Sequence, residues 1–312
     1  MNKSALCGAL LVLATGLASC SRDDAQVPEA ATPAQPKAEA PAASKDPHAP
    51  LMRAIFGDDY LPAKGYAIEG GAAAEAPVDG LPLILTAATS MVLPSGDTAL
   101  VVEGSFRRPA DDAMLGEVQG APIHLYLLRR QGGTWHVTRR HENFAEQNRL
   151  PTEMRWISLG HGKPGLAVLT NYMGRGYMGT WLALFDPASE KMTDLADDGD
   201  SLLIKSTNDG DCEEHCWSAE AKWRIDPGSG NARNAAYDDL VLEISGEESR
   251  RSNGEAEDAE DAEDAEDAED ATPDQTGPAT AVEKRSLAGT ARYVFGNGRY
   301  RLHEGTNTVP PL

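Results

Sequence analysis

The chain has 312 residues, 41% hydrophobic and 25% charged, enough to bury one large core or two small ones. Its formal net charge is −21, and residues 255–271 supply more than half of it as eleven acids without a base. The remainder is moderately acidic with no basic stripe, which argues against nucleic acid as a partner.

Lys3 opens the chain with a positive charge, and residues 5–16 are almost wholly apolar. That run is too short for a bilayer, which takes roughly 20 apolar residues, and has the layout of a secretory signal. It ends in Leu17-Ala18-Ser19-Cys20, which resembles the lipobox of bacterial lipoproteins. The resemblance implies removal of residues 1–19 and acylation of Cys20 as the new N-terminus. Each buried acyl methylene would contribute about 0.8 kcal/mol to anchoring. Ser21, where an aspartate would retain a lipoprotein at the inner membrane, implies transfer to the outer membrane, on either its periplasmic or its surface side.

Residues 20–50 read as a tether. Prolines at 28, 33, 36, 41, 47 and 50 and abundant alanine leave nothing to form a core. Extended at about 3.1 Å per residue, 22–50 would reach roughly 90 Å.

Residues 51–312 are expected to form one all-β domain interrupted by a disordered acidic insertion at 247–286. A short helix over 49–60 puts Leu51, Ile55 and Phe56 on one face. Beyond it, alternating strands are separated by Gly, Pro, Asn and Asp turns. Three four-stranded antiparallel meanders are predicted. The first comprises 83–93, 98–103, 123–129 and 134–138. The second comprises 155–159, 166–172, 180–185 and 192–195. The third comprises 219–225, 239–245, 291–295 and 299–302, and its Asn297-Gly298 is a strong two-residue hairpin signal. Such repeated meanders imply a β-propeller-like arrangement or stacked sheets. The middle unit resembles an FG-GAP-type blade, without the Asp-rich calcium loop, so no calcium role carries over. If the sheets form a ring, another blade must come from 51–80 and 196–210, where 201–205 fits a strand.

The insertion contains five Glu-Asp-Ala triplets. As a helix it would set like charges three and four residues apart, which is destabilising, and it has nothing apolar to bury.

Apart from Cys7 and Cys20, the thiols are Cys212 and Cys216, in Asp211-Cys212-Glu213-Glu214-His215-Cys216. In an oxidising envelope a disulfide is the default. Free thiols, or a metal held by both thiolates and His215 with Asp211 or Glu213, are the alternatives. Nucleophile elbows, zinc-protease motifs, phosphate loops and dinucleotide fingerprints are lacking, so neither a catalytic residue nor a cofactor is assigned. The histidines read as satisfied or surface residues, and the five tryptophans as packing between sheets. The most site-like stretch is 171–179, where three glycines free the backbone and two methionines accompany Tyr172, Arg175 and Tyr177, tyrosine and arginine being favoured at binding hot spots. Two functions remain open: a tethered, non-enzymatic module binding an envelope protein or glycan, or an envelope hydrolase whose acids come from distant loops.

Overall fold

The computed structural model describes residues 46–70, 81–106, 120–147, 152–196, 201–251 and 282–312, all within the unit 44–312. The lipobox, the tether as far as residue 45, the Glu-Asp-Ala tract and residues 197–200 lie outside the described residues.

The fold is all-β, built from two stacked antiparallel sheets. The first takes its strands in chain order: β1 (Tyr60–Leu61), β2 (Tyr66–Ile68), β3 (Leu83–Val92), β4 (Thr98–Phe106), β5 (Ala121–Gln131) and β6 (Thr134–Gln147). The second runs through β7 (Glu153–Gly160), β8 (Lys163–Gly174), β9 (Tyr177–Phe185), β10 (Leu202–Thr207), β11 (His215–Asp226) and β12 (Asp239–Arg251). Two strands share the far side of β12. β14 (Gly289–Gly296) pairs with its first half, and β13 (Val282–Ser286) with its second. β15 (Arg299–Gly305) closes the order on the outer side of β14. Its link to β14 is the predicted Asn297-Gly298 turn, both residues at positive φ (54° and 86°), as a two-residue hairpin requires.

Strand alternation explains how the layers form. In β4, Leu100 and Val102 point to one face and Ala99 and Val101 to the other, and all four are buried. The first face is covered by α1 (Ala49–Phe56), whose Leu51, Met52 and Ile55 pack on Leu83, Leu85, Tyr126 and Leu128. Burial of one such side chain contributes about 1.5–3 kcal/mol. The opposite face, with Ile123, Leu125 and Leu127, meets Leu166, Val168 and Phe185 of the second sheet and Met192 of the segment that follows β9. Trp156 crosses this layer to donate from Nε1 to Thr89 Oγ1 at 3.1 Å. Being covered on both sides, β4 and β5 read as nearly continuous apolar runs.

The second sheet curls around its own core of Leu159, Leu182, Leu184, Ile204, Leu240, Leu242 and Tyr300. The curl brings Arg155 of β7 over the Trp223 ring of β11 at 4.2 Å, and Asp238 N donates to Leu159 O at 2.7 Å. β7 and β15 do not pair, so the sheet stays open.

Four expectations from the sequence are corrected by the structure. The domain starts before residue 51: Asp46 accepts from His48 N (2.8 Å) and Tyr60 Oη (2.7 Å), and α1 starts at Ala49. Pro50 there reads as tether by composition, yet proline fits the first turn of a helix. The second and third meanders are not separate blades, because β10 joins them by pairing with both β9 and β11. Residues 192–195 are not a strand: Asp194 Oδ1 accepts from Leu184 N and Ala196 N, both 2.9 Å, and turns the chain back on β9. Finally, the insertion is narrower than 247–286. Glu247 to Arg251 pair residue by residue with Ser286 to Val282, so a ladder forms its neck.

Candidate functional site

The predicted residues Tyr172, Arg175 and Tyr177 lie at the tip of the β8–β9 hairpin. Arg175 and Gly176 form its turn at positive φ (50° and 78°). Register puts Tyr172 opposite Gly179 and Tyr177 opposite Gly174, so both tyrosines share one face. They do not stack on each other. Tyr172 meets Trp181 edge-on (centroids 6.5 Å), while Tyr177 leans on Trp217 (5.9 Å), which in turn meets His215 (5.3 Å). The other face carries the cross-strand pair Met173 and Met178. Tyr172, Met173 and Met178 are 39%, 52% and 39% exposed, and Arg175 is exposed.

This exposed tip has a fixed base. Gly210 N donates to Gly176 O at 3.2 Å, and any Cβ at Gly176 would collide with Asp211. The neighbouring β10–β11 connection is therefore pressed against the hairpin turn. That connection is held by buried Asn208, which donates from Nδ2 to His215 O and accepts at Oδ1 from Trp217 N, both 2.7 Å. Trp217 Nε1 donates to buried Ser206 Oγ at 2.8 Å. A disulfide between Cys212 and Cys216, Cα atoms 5.1 Å apart, closes the same connection. The thiols are thus unavailable as metal ligands, which removes the metal alternative for this motif. Closing so short a loop contributes about 2 kcal/mol in the chain-entropy picture.

Beside the disulfide, His215 Nε2 lies 3.5 Å from Glu248 Oε2, and Arg285 Nε contacts Glu248 Oε1 at 2.7 Å. The Arg285 guanidinium holds the Glu248 carboxyl below the usual carboxylate range. Among the described residues, no group of three or more His, Cys, Asp or Glu side chains is placed to hold a metal ion.

A second concave feature opens where the two sheets diverge, a cleft of about 540 Å³. Phe144, Val168, Ala183 and Phe185 form its floor, and Glu146, Asp194 and Arg299 stand among its polar walls. Phe144 and Phe185 meet edge-on at 4.9 Å. Asp194 is engaged with two backbone amides, as above, and acts there as a clamp.

Two buried histidines escaped the sequence reading. His124 and His141, 4% and 8% exposed, lie in β5 and β6, and Nε2 of each is buried without a hydrogen-bond partner. The sequence treats them as satisfied or surface groups, but the sheet holding them is covered on both faces. The near-continuous apolar run of β5 around His124 was the sequence signal for that residue.

The tryptophans expected between sheets divide. Trp156 lies there, Trp135 packs on the α1 side, and Trp217 and Trp223 border the curled core. Compared with family models, curated proteins and solved structures, the chain finds no match.

Proposed function

We propose that this chain is a lipid-anchored cell-envelope protein that binds a partner through the β8–β9 hairpin tip. The tether carries the domain away from an outer membrane to which acylated Cys20 fixes it. The observation that supports the binding surface is a tyrosine and two methionines exposed together on a hairpin whose base is held by a disulfide-closed neighbour. Methionine adapts to irregular partner surfaces, and tyrosine and arginine concentrate binding energy. A rigid base lowers the ordering cost of association.

A hydrolase would instead work through the inter-sheet cleft, where Glu146 and Asp194 are the described carboxylates. Asp194 is committed to backbone amides, which makes the hairpin the better-supported site. Placing a photoreactive p-benzoyl-phenylalanine at Met173 or at Thr193 of the cleft, in the full chain in cells, separates the two. Adducts from Met173 are expected; adducts from Thr193 alone would overturn the proposal.

A further inference from the structure

The charge around the hairpin tip identifies the kind of partner it fits. Arg175 is the cation of the tip itself. Pressed against the turn is the β10–β11 connection, on which Asp209, Asp211 and Glu213 are all exposed. Of the cations on the adjoining strands, Lys205 faces Glu220 at 3.5 Å, Lys284 faces Glu247 at 3.5 Å and Arg285 holds Glu248, while exposed Arg250 and Arg251 stand at the end of β12, across β10 and β11 from the hairpin. The surface is therefore an apolar finger with acids along one flank. Its apolar residues stand on both faces, Tyr172 on one and the Met173–Met178 pair on the other. Covering both faces of a finger at once takes insertion, into a groove or into a bilayer.

We infer that the hairpin inserts into an apolar groove of a protein partner whose lip, opposite Asp209, Asp211 and Glu213, carries Lys or Arg. This rests on the hairpin being the binding surface. A bilayer is the other apolar medium within the tether's reach. Its anionic headgroups would repel the three carboxylates that stand directly against the turn, which opposes the electrostatic attraction that helps basic segments onto membranes. A groove with a basic lip draws the same acids in, speeds encounter and fixes the direction of insertion.

The test uses the full-length chain in cell envelopes, with p-benzoyl-phenylalanine at Met173 and irradiation at two salt concentrations. On raising salt from about 0.05 M to about 0.5 M, adduct yield is expected to fall about fivefold through screening of exposed charge pairs. A triple variant Asp209→Asn, Asp211→Asn, Glu213→Gln should start about fivefold lower and lose most of that salt response. Mass spectrometry should place the adduct in an apolar partner segment flanked by Lys or Arg. All three substitutions are at exposed positions, and circular dichroism confirms that the variant folds. A protein adduct indifferent to salt and to neutralisation would overturn the basic lip and leave the hairpin as the binding surface. Adducts on phospholipid would overturn the protein partner. No adduct from Met173 in folded protein would overturn both this inference and the reading beneath it.

Discussion

Replacing His124 and His141 together by asparagine should abolish most of the loss of stability that this domain undergoes between about pH 7.5 and pH 5. Asn143, at φ 54° in the irregular stretch of β6, donates from its backbone N to His124 Nδ1 at 3.3 Å. Nδ1 is thereby the acceptor, so the neutral ring carries its proton on Nε2, which is buried without a partner. A second proton must go to Nδ1, displacing that bond and placing a cation in an apolar layer. Burial accordingly holds His124 below the ordinary histidine range, with Glu142 opposing weakly, and burial together with Arg139 lowers His141. An unfolded histidine titrates near 6.5. Below that value the unfolded chain binds more protons than the fold, so stability falls with pH until the folded rings titrate as well. While a ring stays neutral in the fold, each pH unit below its unfolded value costs at most about 1.4 kcal/mol, against a typical total of about 5–15 kcal/mol. Carboxylates held low by guanidinium partners, Asp97 by Arg129 and Asp226 by Arg292, contribute their loss at lower pH, as they titrate below the normal carboxylate range. Urea unfolding at several pH values reads the difference directly, and asparagine can still accept from Asn143 N. If the double variant loses as much stability between pH 7.5 and 5 as the parent, the buried rings do not set the acid response.

Three further outcomes are expected. Arg233 Nη1 and Arg292 Nη1 (2.9 Å) both bond Oδ2 of fully buried Asp239, and Arg292 also reaches Asp226 Oδ2 (2.8 Å); replacing both arginines by alanine should cost about 3 kcal/mol in urea unfolding by stranding the Asp239 carboxylate, whereas a change under about 1 kcal/mol would deny the cluster a structural role. The Cys212→Ser, Cys216→Ser variant should lose about 2 kcal/mol and also lower the Met173 adduct yield, since the disulfide closes the connection on which the hairpin turn rests. Deleting 255–271 should leave the melting temperature within about 2 °C, because loop closure depends only logarithmically on length; a larger drop would show that the tract supports the fold.

Much of the architecture was legible because it is local. Asn297-Gly298 and the flanking aromatic strands specify a hairpin by themselves, and the short apolar run within 201–205 fits a strand. The joining of the second and third meanders through β10 was not legible, since pairing of a strand with both neighbours is decided by the curl of the whole sheet. Residues 192–195 looked like a strand for their apolar spacing, and the amide clamp of Asp194 overrode it. At the site, the glycine-rich spacing marked the hairpin tip, but its rigid base depends on Gly176 meeting Asp211 across a gap of thirty-odd residues. The same holds for His124, whose burial follows from a helix packed on one face of its sheet and a second sheet on the other.

Acylation of Cys20 is the step on which the proposed anchoring and envelope setting rest. Mass spectrometry of the mature protein from envelope membranes should find Cys20 as the first residue, carrying acyl chains, and Cys20→Ser should abolish incorporation of labelled palmitate. An unacylated protein that retains Met1 in the cytosol would contradict it.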